Sequence, residues 1–239
     1  MRICVIGGGR RRLASAAIGA PALALAAFAG SASAAVAPAT ISVDKACYVL
    51  TGTPPSMTVT GSGFQAGAPV TITDGTGTVD TETTPNAAGQ ITATIPAPTP
   101  NFTRPSQKKD TITADEAAPS GTEIKGTTTT HVTAFGAEHG ATKKLPGLRA
   151  LSEKTSWSFS GFPVGKTIWG HYTIKGKQVA RQAFGKATAP CGLLTVRRRL
   201  YPAAPRHRSY PLQLDSVKKY SKKTHPRLTQ LKVSLDLVF

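Results

Sequence analysis

The chain has 239 residues, including 23 Gly and 18 Pro, and carries a formal net charge of +17. Long runs of Leu, Glu and Lys at helical spacing are absent, which argues against a helical fold and favours β-strands separated by many turns. Such a charge concentrates polyanions around a protein and says nothing about its fold.

The first 34 residues have the three parts of a secretory signal peptide. Arg2 and the run Arg10–Arg12 provide a positive start, and Leu13–Gly30 contains no charge. The small residues Ala32-Ser33-Ala34 then suit a signal peptidase, with Ala35 as the new N-terminus. We therefore expect a secreted protein, extracellular or loosely associated with the envelope. The arginine run leaves Sec and twin-arginine export both open.

Two other interpretations of this segment fail. It is dominated by Ala and interrupted by Pro21, whereas a transmembrane helix needs about 20 strongly apolar residues. The Gly-rich run Gly7–Gly9 resembles a dinucleotide-binding turn, but Arg12 stands where the third glycine belongs. We expect no transmembrane span after cleavage, and about 205 residues remain for two domains of about 100 each.

A sequence repeat is the strongest signal beyond this segment. Residues 57–72 and 157–169 each contain an alternating strand, then Gly-Phe-x-x-Gly, then a second strand. Alternation predicts that Met57, Val59, Val70 and Ile72 face a core, with Phe64 closing its end. It likewise predicts inward positions for Trp157, Phe159 and Ile168. The glycines that flank the phenylalanines should adopt positive φ.

Further strands are predicted between the turn signals Asp74-Gly75, Asn86–Gly89, Lys175-Gly176 and Pro202–Arg208. Their bounds are 90–95, 110–114 and 127–135 in the first half, then 178–184, 193–201, 209–214 and 228–238. The fold class is therefore all-β, with two tandem immunoglobulin-like β-sandwich domains. The predicted segments are signal peptide 1–34, domain 35–137, linker 138–149 and basic domain 150–239, with the polar, Gly-rich stretch 136–147 as the flexible connection.

The Gly-Phe-x-x-Gly turn in a secreted, Thr-rich chain resembles bacterial surface immunoglobulin-like domains of the IPT/TIG type. The mature chain also resembles actinobacterial secreted proteins with two such modules, in which Cys47-Tyr48 and Pro190-Cys191-Gly192 have counterparts. That family has no established activity, so the resemblance implies a fold and no chemistry.

Two cysteines remain after loss of Cys4, and an oxidising location favours one disulfide between Cys47 and Cys191. The bridge would close a loop across both domains and fix the angle between them. The alternative is one buried, unpaired thiol in each domain.

No pattern supports catalysis. The five histidines lack metal-ligand spacing, and no nucleophile elbow or phosphate loop is present. The second half holds only three acids, Glu153, Asp215 and Asp236, which excludes paired-carboxylate chemistry there. Asp74 and Asp80 suggest calcium ligands only weakly, since Asp-Gly is first a turn signal. We expect no cofactor, no metal, no enzymatic activity and a packing role for His171.

Basic residues cluster near the C-terminus. Between His139 and Phe239 there are twenty Lys or Arg, whereas Ala35–Glu138 has five against nine acids. The candidate polyanion-binding residues are Arg197, Arg199, Arg206, Arg208, Lys218, Lys219, Lys222 and Lys223. Alternation places Arg197 and Arg199 on one face, with Arg198 on the inner side or at the rim. A solvated face that keeps the protein soluble is the competing explanation.

The sequence thus predicts a secreted, non-enzymatic protein whose basic second domain binds anionic cell-envelope polymers, such as teichoic acid or acidic glycans. The alternative partner is a surface protein, recognised through loops or a sheet edge. Nucleic acid is disfavoured because export removes the chain from it.

Overall fold

Strands dominate the computed structural model, which describes residues 38–77, 80–117, 123–140, 147–224 and 226–234. The strands of the first half are β1 Thr40–Val43, β2 Cys47–Leu50, β3 Ser56–Ser62, β4 Val70–Asp74, β5 Asp80–Thr83, β6 Ile91–Pro96, β7 Gln107–Glu116 and β8 Ile124–Ala134. The elements of the second half are β9 Gly136–His139, a 3-10 helix Gly147–Ser152, β10 Lys154–Ser160, β11 Thr167–Ile174, β12 Lys177–Lys186, β13 Leu194–Arg199, β14 Ser209–Asp215 and β15 Leu228–Ser234.

The first sandwich packs a sheet of order β1-β3-β6 against a sheet of order β2-β8-β7-β4-β5. Alternation fixes which side chains meet between them. Met57, Val59, Val70 and Ile72 are fully buried in one apolar cluster, as predicted, while Thr60 is exposed. Only β2 and β8 pair in parallel, among the strands described.

The second sandwich packs a sheet of order β13-β10-β9 against one of order β12-β11-β14-β15. Its core is aromatic: the ring of Phe184 on β12 lies 4.9 Å from Trp157 and 4.8 Å from Phe159, both on β10. Ile168 is buried in the same cluster. The outer faces of the two sheets therefore point in opposite directions, with this core between them. The all-β sandwich fold is confirmed.

The repeat is also confirmed in backbone detail. The amide of Gly67 donates to the carbonyl of Pro85, and that of Gly165 donates to Ala187. Gly63, Gly67, Gly161 and Gly165 all have positive φ, between 77° and 93°. Because the same hydrogen bonds recur in both halves, the two Gly-Phe-x-x-Gly turns are one structural solution used twice.

In each sandwich a second glycine turn, at Gly89 or Gly192, packs against the Gly-Phe turn. No pattern in the sequence predicts this contact. A Cβ added to Gly89 would overlap the carbonyl oxygen of Phe64. A Cβ on Gly192 would overlap the carbonyl oxygen of Phe162. The backbones approach so closely that only glycine fits at these two positions.

Most predicted strands are present within a few residues of their expected bounds. The strands missed by the sequence are short: β1, β5 and β9 have four residues each. The β5 sequence Asp-Thr-Glu-Thr lacks apolar alternation, so its pairing with β4 decides its conformation. Residues 235–238 of the last predicted strand and the signal peptide 1–34 lie outside the described residues.

The joint between the sandwiches is tight. Cys47 and Cys191 form a disulfide with a Cα–Cα distance of 5.4 Å, which confirms the pairing. The hydroxyl of Ser160 donates to the carbonyl of Ala134 at 2.6 Å. The rings of Phe135 and Phe162 lie 4.9 Å apart. The second Gly-Phe turn is thereby held against the first sandwich.

The predicted linker 138–149 is only partly described, and its described ends are structured. Residues 136–139 form β9, which pairs with β10, and residues 147–149 belong to the 3-10 helix. Because β8 ends at Ala134 and β9 begins at Gly136, the chain enters the second sandwich through Phe135 alone. The sequence predicts a flexible connection from residue 136 onward. This prediction is wrong for residues 136–139, because all four pair with β10. Residues 141–146 lie outside the described residues, and the domain bounds remain a prediction.

Gly89→Ala tests the close approach of the two turns. The substitution should destabilise the first sandwich by about 2–5 kcal/mol, because positive-φ strain and a backbone clash add. The matched control is Gly67→Ala, which has the same backbone conformation but nothing within 4 Å of the new Cβ. It should cost about 1–2 kcal/mol. Urea unfolding measures both, and equal losses would contradict the proposed clash.

Candidate functional site

The predicted basic residues do not form one patch. Arg197 and Arg199 lie opposite Ser156 and Lys154 in the β10–β13 ladder, and all four are exposed. They share the outer face of the three-stranded sheet, because their inward neighbour Val196 packs against the core. We call Lys154, Arg197 and Arg199 the arginine face.

Arg198 lies at the sandwich rim, one of its two predicted positions. Its Nε donates to the carbonyl of Ala183 on β12 at 3.4 Å. Gln182 on the same strand donates to the carbonyl of Arg199 at 3.0 Å. These contacts tie the edges of the two sheets together, so Arg198 closes the sandwich at this edge.

Arg206 and Arg208 are exposed in the loop between β13 and β14. The hydroxyl of Tyr210 accepts hydrogen bonds from the backbone amides of Arg206 and His207, at 2.8 and 3.0 Å. The phenol thereby shapes this loop and leaves both arginine side chains exposed.

Lys218, Lys219, Lys222 and Lys223 belong to residues 216–224, the basic loop, and all four are exposed. The loop lies on the outer face of the four-stranded sheet. The carboxylate of Asp215 accepts from the amide of Val217 at 2.8 Å. The side-chain amide of Gln213 donates to the carbonyl of Ser221 at 2.9 Å. These lysines therefore face the opposite side of the sandwich from the arginine face.

A buried ion pair holds the basic loop in place. Nε2 of His171 lies 3.2 Å from Oδ1 of Asp215 and 3.0 Å from the carbonyl oxygen of Val217. Nδ1 lies 3.2 Å from Oε1 of Gln178, so both ring nitrogens face oxygen acceptors. His171 and Asp215 are both 0% exposed. This confirms a packing and hydrogen-bonding role for His171.

The surroundings of the pair favour its charged form. Burial alone would lower the pKa of His171, but its hydrogen bond to Asp215 and that carboxylate's charge raise the pKa overall. Burial would raise the pKa of Asp215, yet hydrogen bonds from His171, Gln213 and the Val217 amide lower it overall. Asp215 is thus occupied internally, and it neutralises none of the loop lysines.

Beside this pair, the sequence patterns identified Lys218 but missed its two neighbours, Trp169 and Arg181. The Arg181 guanidinium lies 5.1 Å from the Trp169 ring centroid, and the Lys218 ammonium lies 6.0 Å from it. Nη1 of Arg181 also donates to the carbonyl of Lys218 at 3.0 Å. Because Ile168 faces inward, alternation would have placed Trp169 outward, so a signal was available. We call Trp169, Arg181 and Lys218 the cation–indole cluster.

The first sandwich offers a contrasting site. A cavity of about 530 Å³ on β4 and β7 is lined by threonines, by Asp115, Glu116 and Glu123, and by Lys125. Lys125 lies 3.4 Å from Asp115 and 3.3 Å from Glu123, but the acids outnumber this one cation, so the site is acidic. In the described part of the chain, no group of three or more His, Cys, Asp or Glu is arranged to hold a metal ion. No helix there is long and apolar enough to cross a membrane.

No protein-family model matches the chain, and no curated protein matches its sequence. Among solved structures, it is similar to a tetra-tandem repeat in the extending region of a large adhesion protein, at 14% identity and a TM-score of 0.29. That match covers 74% of this chain and 44% of the other, so the chain spans less than half the length of that structure. It is also similar to the E. coli chaperone DraB, at 10% identity and a TM-score of 0.26, over 73% of this chain and 88% of the chaperone. At these scores neither match indicates a function.

The His171–Asp215 pair predicts a specific pH dependence of stability. A raised His171 pKa stabilises the fold fully below 6.5, the ordinary value, and the contribution disappears as pH rises through the higher folded-state pKa. The lowered Asp215 pKa supplies stability above 3.8, lost on further acidification. The free energy of unfolding should therefore fall as pH rises above about 6.5.

Asp215→Asn removes the charged partner, so burial should dominate and the decline above about pH 6.5 should vanish or reverse. His207→Gln, at an exposed histidine, is the control and should keep the wild-type slope. Urea unfolding at several pH values measures each slope. Identical slopes for the wild type and Asp215→Asn would show that the pair is not the cause.

Proposed function

We propose that the chain is a secreted, non-enzymatic protein that binds anionic cell-envelope polymers through its basic second sandwich. The observation that carries this proposal is the cation–indole cluster together with the basic loop on one sheet face. Its cations have no carboxylate partner among the described residues, because Asp215 is buried against His171. An uncompensated positive face attracts polyanions and speeds their encounter.

The joint supports a role outside the cytoplasm. A disulfide persists where the surroundings are oxidising, as they are after export. This observation agrees with the export signal that the sequence predicts.

The second sandwich has two candidate surfaces for polymer binding, and they lie on its opposite outer faces. The cation–indole cluster combines an aromatic surface with fixed cations, since Arg181 is bonded to the Lys218 carbonyl. The indole holds both cations by cation–π contacts, and the cations can pair with the carboxylates or phosphates of a polymer. The arginine face has cations without such a ring. We therefore assign polymer binding to the outer face of the four-stranded sheet.

Matched triple variants test this assignment. Arg181→Gln, Lys218→Gln and Lys219→Gln together should weaken binding to polygalacturonate and polyphosphate by about tenfold, or about 1.4 kcal/mol. Lys154→Gln, Arg197→Gln and Arg199→Gln remove the same charge from the arginine face and should cost less than about threefold. Binding should also weaken steeply as salt rises from about 0.05 to about 0.5 M, because added ions screen the attraction between the cations and the polymer.

Thermal unfolding of both triple variants controls for misfolding. Equal losses in the two variants would show that only total charge matters, and the assignment to one face would be wrong. Retention on isolated cell envelopes that ignores salt and both variants would contradict the proposal altogether. That result would favour recognition of a surface protein instead.

A further inference from the structure

A cavity of about 250 Å³ lies at the far end of the same sheet face. It is bounded by strands β11 and β14 and by the chain that leaves the basic loop. Its polar lining comes from Thr173, Gln213, Tyr220, Lys222 and Arg227. Ligand pockets for larger molecules occupy roughly 300–1,000 Å³, so this cavity suits one small chemical group.

The cavity is positively charged. Among the described residues, two cations line it and no carboxylate does. Nη1 of Arg227 is buried and has no hydrogen-bond partner among the described residues. A buried, unpaired guanidinium nitrogen is costly unless an acceptor reaches it. The arrangement therefore lacks an acceptor that an oxyanion would supply.

The neutral walls are rigid and polar. Gln213 is 5% exposed, and its amide nitrogen already donates to Asp215 at 2.6 Å and to the Ser221 carbonyl. Tyr220 packs with its ring 5.7 Å from His171. The ion pair below the loop thus positions Tyr220, whose phenol is a neutral hydrogen-bond donor. The Thr173 hydroxyl donates to the Pro211 carbonyl at 3.4 Å, which holds this wall in place.

We infer that this cavity is a subsite that binds a single oxyanion, a phosphate or a carboxylate, with Arg227 and Lys222 as its charged partners. The inference rests on the proposed function and deepens it, because the oxyanion is one repeating group of the bound polymer. Thr173 follows Trp169 by four residues on β11, about 13 Å at the usual rise of a strand. A polymer strand that lies across this face reaches both the cavity and the cation–indole cluster.

Small probes test the cavity without the polymer. Glycerol phosphate and galacturonate each carry one oxyanion, and amide shifts in a titration of the full mature chain locate their binding. The shifts should centre on Thr173, Gln213 and Tyr220, and the tighter probe identifies the preferred oxyanion. Arg227→Gln should weaken that binding at least tenfold, and Arg227→Lys should restore part of it. Arg104→Gln, which removes an exposed arginine from the first sandwich, should leave it unchanged.

Unfolding curves show whether Arg227→Gln is destabilised. If it is, Lys222→Gln, which removes the other cation of the cavity, provides the test. Shifts elsewhere on the chain, or unchanged affinity in Arg227→Gln and Lys222→Gln, would overturn the inference. Polygalacturonate and polyphosphate binding measured on the same variants separates the two proposals. If the Arg227→Gln and Lys222→Gln variants still bind the polymers, the proposed function stands. If the protein binds the small probes but not the polymers, only the proposed function is overturned.

Discussion

The disulfide between Cys47 and Cys191 joins two sandwiches that each have a separate apolar core. It closes a loop of 144 residues, and cross-links of that span stabilise a fold by about 4–5 kcal/mol in the chain-entropy model. The bond acts together with the Ser160 hydrogen bond and the Phe135–Phe162 contact. All of these hold the second Gly-Phe turn against the first sandwich.

On the side of the second sandwich, this joint uses the end of β10, the turn after it and the turn at Cys191, and it makes no use of the four-stranded sheet. The basic loop covers part of the outer face of that sheet, and a buried ion pair anchors the loop there. Replacing such a pair with apolar residues is often neutral for stability, so a geometric purpose is the better explanation. Because the pair occupies Asp215, the lysines above it have no acidic partner in the part of the chain that the structure describes. The same interaction thus fixes the loop and preserves its positive charge.

The sequence predicts the sandwich class well because alternation and glycine turns are local properties. Met57 and Val59 face inward on alternation alone, and Gly63 needs positive φ wherever its strand goes. The strand β9 could not be predicted, since its sequence Gly-Ala-Glu-His has no apolar pattern and depends on β10. The pairing of Gly192 with the Phe162 turn is likewise a long-range contact.

The candidate site was predictable only in its composition. The sequence identifies the basic residues but treats Arg197 and Lys222 as one constellation, whereas the two sheets place them on opposite faces. Charge is visible in a sequence, and the face that carries it depends on which sheet each strand joins. Arg181 and Arg227 were missed for another reason: neither belongs to a run of basic residues in the sequence.

The central claim is that an anionic polymer lies on the outer face of the four-stranded sheet. The most direct measurement is a map of backbone amide shifts on the mature chain during titration with polygalacturonate at moderate salt. Our account predicts the largest changes at Trp169, Arg181 and the basic loop, with little change at Arg197 and Arg199. Changes centred on the arginine face, or on the first sandwich, would contradict it.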